Sequence, residues 1–510
     1  MRKLALLFLI LFSGNILAQS EFCNSDLESF PTRAGGRVKP LLVLANETIQ
    51  YMTGSTKVQD LTATEAFCKL SLKAFGMPLS LPIDIKIDHV EVRKLLGIGE
   101  DQNKMPVNEA LDKSGLIASE LSQLKENNSY KKELSKVSDR LATYRAIVEA
   151  RAFAVPVIVD GKIDFSSLAE FVTEERIAEA SGKGMNPLKY LLQEAKADYL
   201  RLEGDGYMLE VKYFKLNLFL WAMLTCILSI VLLVLLKNKK AGLALAGLAV
   251  GLQVAAMTMR ILISGRAPVT NMYETVMFSG LGALVISLII GHFRKETAFV
   301  LAGLGYNVLC LMMMKFAHGM LDPNISPLVP VLRDNFWLST HVTTVILSYA
   351  ALALSWLLAN GLLLRSRFGR LSSEDYRYGV DLIYTCIKFG VVLLAAGVIL
   401  GGVWADYSWG RFWGWDPKET WSLIVLLIYM AILHGKYTSW IPPKRFVPLV
   451  AGAFLSVMMA WFGVNYILAS GLHSYGFSEG GAVFLGTFFL VQIIILIVGT
   501  VNLNGMKTKS

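Results

Sequence analysis

Two patterns of apolar residues divide the chain. Over roughly the first 213 residues, apolar positions recur at three- and four-residue spacing among polar ones, and past the leader no run is long enough to cross a bilayer. The stretch SGLIASELSQLKENNSYKKELSKVSDRLATYRAIVEARAF (114–153) predicts amphipathic helix, and AVPVIVDGKIDF (154–165) predicts extended chain. From residue 216 onward, runs of about twenty apolar residues follow one another. Nine spans are expected, near 216–236, 241–263, 275–292, 297–315, 341–363, 382–403, 420–437, 447–469 and 482–503. Eight is the alternative, if the first or last run is not a span. The expected fold is an α-helical polytopic membrane protein with an N-terminal α-rich extracytoplasmic domain.

The first 19 residues, MRKLALLFLILFSGNILAQ, pair a basic start with a short apolar run and a small-residue end. They read as a signal peptide, with an uncleaved anchor as the alternative. The domains are then 1–19, a soluble domain over 20–213, and a membrane domain over 216–503. Composition agrees: 54% of the 510 residues are hydrophobic and only 17% are charged, whereas ordinary soluble domains hold about 25% charged residues. A soluble enzyme, a disordered chain and a collagen-like repeat are excluded. Five cysteines are too few for a disulfide scaffold, and no CxxC, CxxCH or zinc spacing occurs. Cys23 and Cys68 either pair or are unrelated.

Charge gives the orientation. Lys237, Lys239, Lys240, Arg294, Lys295, Arg365, Arg367, Arg370, Arg377, Lys436, Lys444, Arg445, Lys507 and Lys509 all follow odd-numbered spans. The opposite loops carry only Arg266, Arg333, Arg411 and Lys418, with Arg260 and Lys315 near span ends. The richer side is expected in the cytoplasm, which puts the soluble domain outside. The net charge of +9 reflects this bias and implies no nucleic-acid partner.

Candidate chemistry concentrates in VWADYSWGRFWGWDPKETW (403–421). Trp404, Trp409, Trp413, Trp415 and Trp421 are five of the chain's ten tryptophans. An interfacial aromatic belt spreads its rings over many helix ends. Five in one loop suggest instead a flat, polarisable platform for a large planar ligand. Asp416, Pro417 and Glu419 read as a helix start that fixes the platform.

Six histidines are present. His89, His318 and His292 suit surface, loop and interfacial roles. His341 opens the fifth span and His473 follows the eighth, at one expected depth on either side of the tryptophan loop, so they form a candidate bis-imidazole pair. His434 lies 14 residues after Thr420, about 21 Å deeper along a helix. It suits either the inner interface or a second ligand position.

The segment WGRFWGWDPKETW resembles the tryptophan-rich WWD signature of haem-handling proteins in cytochrome c assembly, and in detail the CcsA/ResC branch of the system II synthase. GRAPVTNMYETVMF (265–278), SPLVPVLRDNFWLSTHVTTVILSYA (326–350) and GLHSYGF (471–477) are similar to further segments of that branch. The resemblance covers about 216–503. It implies that His341 and His473 are axial ligands of haem b. It makes Trp404, Trp409, Gly410, Trp413, Trp415, Asp416, Pro417, Lys418, Glu419 and Trp421 the haem-binding loop, and places His434 at an inner haem site.

A second inner histidine would come from a ResB-type partner, with His292 as a within-chain candidate; no ResB-like set of spans is found. The resemblance further implies attachment of haem to CxxCH motifs of apocytochromes c in a bacterial cytoplasmic membrane, with thiol-reducing proteins as further partners. By charge, Arg333, Arg411 and Lys418 are candidates for the haem propionates. A haem-binding electron-transfer protein, or a haem exporter without synthase activity, is the alternative.

Overall fold

The computed structural model describes residues 22–76, 81–99, 101–125, 128–183, 185–317, 319–328, 334–369, 371–468 and 481–501. The leader 1–19, His318, Arg333, Arg370, His473, Lys507 and Lys509 lie outside the described residues. The chain divides into two compact units between Leu216 and Asn217.

The first unit has one core, built on helices Leu41–Thr53, Ala63–Leu72, Ser129–Val148 and Pro187–Glu203. It is less purely helical than expected. Among the described residues four antiparallel two-stranded pairs stand among the helices. The expected extended stretch forms one of them, pairing Ala154–Val159 with Lys162–Ser167 in register Val155 to Ser166. The other three strand pairs are two to four residues long, too short to leave an alternation readable in sequence. Cys23 and Cys68 form a disulfide that joins the first described turn to helix Ala63–Leu72. Buried Lys39 meets Glu47 at 2.6 Å, and burial raises the Glu47 carboxyl above its usual range while Lys39 opposes the rise.

Nine helices among the described residues are long and apolar enough to span a membrane. Their regular α-helical parts are α1 (Leu218–Val234), α2 (Lys239–Ser264), α3 (Met272–Arg294), α4 (Thr297–Phe316), α5 (Thr343–Phe368), α6 (Ser373–Trp409), α7 (Pro417–Tyr437), α8 (Pro443–Met458) and α9 (Gly481–Thr500). Large apolar side chains such as Leu262, Val392, Val483 and Ile497 face outward, as lipid contact requires.

The hub is α5, which packs on α3, α4, α6, α8 and α9. Small residues permit that approach. Ala350, Ala351 and Ala353 are buried on α5, and glycines on its neighbours receive its side chains, Gly390 against Leu352 and Gly397 against Val345. Polar contacts add direction: Asn360 and Gln492 exchange hydrogen bonds of 3.1 Å, and Trp356 Nε1 donates to Gln492 Oε1 at 2.7 Å. Two π-helical segments interrupt the regular geometry, Leu338–Val342 before α5 and Met459–Leu468 after α8.

Candidate functional site

Five stretches of chain converge at one end of the membrane unit. They are the loop and first turn of α3, the π-segment leading into α5, the last turns of α6, the α6–α7 connection with the start of α7, and the π-segment after α8. Between them lies a cavity partly open to the surroundings.

The start of α7 follows the expected capping pattern. Asp416 Oδ1 accepts from the backbone N–H groups of Lys418 and Glu419, each at 2.9 Å. Glu419 Oε2 reaches back to accept from Asp416 N at 3.3 Å and from Gly414 N at 2.7 Å. Pro417 occupies the first turn. The connection is tight: Gly410 ends α6 at φ 67°, and Trp415 holds φ 56°. The Arg411 guanidinium lies directly against Gly414, where a β-carbon would have to displace it.

His341 lies on the cavity wall. Its Nδ1 donates to the Gly397 carbonyl at 2.9 Å, and its ring meets Trp404 edge-on at 5.7 Å. This fixes the tautomer with the lone pair on Nε2, as a ligating imidazole needs. Space comes from two adjacent glycines on α6. A β-carbon at Gly401 would meet His341 Cε1 at 2.6 Å, and one at Gly402 would meet the Phe412 ring at 2.5 Å.

The tryptophans do not form a single shelf. Helix α6 runs past its expected end, so Trp404 and Trp409 belong to the helix and not to the loop. Trp404 and Trp413 line the cavity. Trp415 stands perpendicular to Trp413, at 84°, and is 70% exposed. Trp421 packs on the bundle core. Two of the five indoles thus face the cavity, because the turn at Gly410 and the left-handed Trp415 send successive rings in different directions.

Within the cavity Lys418 Nζ approaches Asn465 Oδ1 at 3.5 Å. Asn465 is held by Nδ2 donating to the Trp461 carbonyl at 2.6 Å, and Trp461 Nε1 donates to Thr275 Oγ1 at 3.2 Å. Three buried polar atoms here have no hydrogen-bond partner: Trp404 Nε1, Trp413 Nε1 and Glu419 Oε1. Buried polar groups are ordinarily satisfied, so a cavity lined by two orphan donors, a cation and an imidazole suits a ligand that carries carboxylates and a metal. A porphyrin with two propionates has that chemistry.

One wall is braced from behind. Arg260 and Glu274, each 1% exposed, pair at 2.7 Å. Arg260 also donates to the Pro323 carbonyl at 2.9 Å, and Glu274 Oε2 accepts from Thr270 N at 2.8 Å and Thr270 Oγ1 at 2.6 Å. Thr270 lines the cavity.

His434 is not part of this arrangement. It lies in the last turn of α7, away from the capped start, and is exposed. His292 is likewise exposed in the last turn of α3. Arg411 packs on Gly414 and does not line the cavity, so of the described propionate candidates Lys418 alone does. Among the described residues no cluster of three or more metal-binding side chains occurs.

Sequence reasoning missed Thr275, Tyr349, Trp461 and Asn465, all on the cavity wall. A polar Asn inside an apolar run is the one signal that pointed to Asn465.

The fold and cavity together define a multi-pass helical membrane protein with a ligand chamber at one end of its bundle. The family model described as cytochrome C assembly protein matches residues 269–473, a range that contains every residue lining the cavity. The chain is 34% identical to the cytochrome c biogenesis protein CcsA of Guillardia theta over 239 residues, 42% of this chain and 78% of that protein. With CcsA of Synechococcus sp. (strain CC9311) it shares 32% over 305 residues, covering 52% of this chain and 98% of the relative. With protein NrfI of Wolinella succinogenes it shares 35% over 235 residues, but only 25% of that protein is covered. The chain therefore belongs to the CcsA family of cytochrome c biogenesis proteins, and its role is in cytochrome c assembly.

Proposed function

We propose that the cavity receives haem b as substrate and presents it for covalent attachment to CxxCH motifs of apocytochromes c. The observation that carries this reading is His341, oriented by Gly397 on the wall of a cavity that also holds Trp404, Trp413 and Lys418. In this proposal His341 and His473 hold the iron from its two sides. Filling both axial positions leaves none for oxygen and keeps the iron reduced. Lys418 and the indole N–H groups of Trp404 and Trp413 receive propionate oxygens.

Each thiol then adds across a vinyl group. A carbon–sulfur bond forms, the thiol proton ends on the other vinyl carbon, and no external oxidant is consumed. The protein supplies orientation and redox poise, while the reactive groups belong to haem and cysteine. The histidine of the incoming CxxCH replaces one axial ligand and releases the product.

The cavity end faces away from the cytoplasm of a bacterial inner membrane, following the bias of basic residues toward the opposite end. His434 is assigned to an inner haem position completed by a ResB-type partner, so synthase activity belongs to the pair. The test is His341→Ala in a host whose only cytochrome c maturation system is this chain with such a partner. Holocytochrome c is expected to disappear, and imidazole in the medium to restore part of it. Normal maturation by the variant would overturn the axial assignment.

A further inference from the structure

At the end of the membrane unit opposite the cavity, α3 and α6 both pack against α5 and leave a groove between them. Arg294, the last residue of α3, spans it by donating from Nη2 to Thr385 Oγ1 on α6 at 2.9 Å. Lys388, one helical turn further along α6, is exposed and lies over the Tyr384 ring at 5.0 Å. Neither cation has an ion-pair partner among the described residues, and Glu296 follows Arg294 by two residues. The rest of the groove is apolar, lined by Ile289, Phe293, Phe389 and Val392.

The depth of Lys388 decides what such a groove can hold. It precedes Trp409 by 21 residues, about 31 Å along a helix at 1.5 Å per residue. With Trp409 at one boundary of a hydrocarbon core about 30 Å thick, Lys388 lies at the other, where phosphate groups begin. A lysine at that level lays its apolar stem along the helix and brings its ammonium to the headgroups. Basic pockets between helices at this depth suit anionic headgroups.

We propose that this groove is a binding site for an anionic phospholipid, its phosphate held between Arg294 and Lys388 and an acyl chain laid over Phe389 and Val392. Haem is the other anionic amphiphile that the protein meets. The groove offers it no iron ligand, since no histidine, methionine or cysteine lines it. The proposal is independent of the haem assignment at the far cavity.

The experiment is native mass spectrometry of the full chain in detergent, titrated separately with phosphatidylglycerol, phosphatidylcholine and haem. Wild type is expected to bind phosphatidylglycerol in preference to phosphatidylcholine. R294Q or K388Q should weaken phosphatidylglycerol about fivefold each, and the double variant about thirtyfold, with phosphatidylcholine unchanged. R294K/K388R keeps both charges, should retain the lipid, and controls for folding. Equal affinity of wild type for the two lipids would overturn the proposal. So would undiminished phosphatidylglycerol binding by the double variant, or loss of haem in place of lipid.

Discussion

Among the described residues each unit holds an arginine–glutamate pair with both partners buried, and these two pairs are built differently. In the soluble unit Arg140 meets Glu133 at 3.0 Å and also donates to the backbone carbonyls of Lys86 and Tyr51. Asp88 lies 3.6 Å from Arg140, Lys136 lies 3.9 Å from Glu133, and both outer groups reach solvent. In the membrane unit Arg260 and Glu274 bind the backbone of two connecting segments, around Thr270 and Pro323. The first pair joins its helix to a second helix and to a short strand, inside a charge network whose outer members are partly exposed. The second pair is enclosed, and what it fixes is a wall of the cavity. A buried ion pair is weak evidence for stability in itself. Its position shows what its geometry serves: general cohesion in one unit, and the shape of the ligand chamber in the other.

The comparison is tested most severely by Glu274→Ala. Removing one partner breaks the buried pair and leaves Arg260 with Asp322 as an acidic neighbour, and a loss of about 3 kcal/mol is expected, read as a fall in thermal midpoint in detergent. Glu133→Ala should do less harm, because Asp88 remains beside Arg140. The sharper experiment is the double variant Arg260→Met/Glu274→Leu. An apolar pair of similar volume should recover most of the stability, while holocytochrome c formation should stay depressed because Thr270 and the 322–324 turn lose their anchors. Full recovery of maturation would show that the pair serves cohesion alone, as in the soluble unit.

Next in size is the covalent tie of the soluble unit. Cys23 and Cys68 close a loop of sequence separation 45, and Cys23→Ser should lower the stability of this unit by about 2–4 kcal/mol. The readout is proteolytic nicking of the soluble unit, with cytochrome maturation measured in parallel. The same variant sharpens the topology. Wild type delivered across the membrane should resist thiol labelling at both positions unless reduced first, and free labelling of Cys23 and Cys68 without reductant would put this unit in a reducing compartment.

Legibility in the sequence followed the range of the determining interactions. The nine apolar runs and the capping pattern at Asp416, Pro417 and Glu419 depend on neighbours within a few residues, and both were readable. The direction of each tryptophan was not. It depends on the left-handed backbone at Gly410 and Trp415 and on where α6 ends. His341 was visible as a residue, but the device that aims it was hidden. A π-helical step before α5 and two glycines on α6 act across some sixty residues of chain. The contact of Trp461 with Thr275 spans 186 residues, beyond any local pattern. Both π-segments border the cavity, in keeping with the frequency of such segments at functional sites.

The smallest effect is expected where the membrane unit relies on neutral hydrogen bonds. Gln492 on α9 accepts from Trp356 Nε1 and exchanges bonds with Asn360, both on α5. Gln492→Leu removes three bonds at once, yet polar contacts between membrane helices average only about 0.6 kcal/mol, with 1–2 kcal/mol in favourable peptides. The unfolded helices find other partners in the bilayer, so the intact pair gains little over them. A shift of about 1 kcal/mol is expected in a denaturation assay, with cytochrome maturation unchanged, because none of Gln492, Trp356 and Asn360 lines the cavity. A loss as large as that of Glu274→Ala would mean that α9 holds α5, and through it His341, in place; the distinction between a cohesive amide pair and a site-fixing ion pair would then fall.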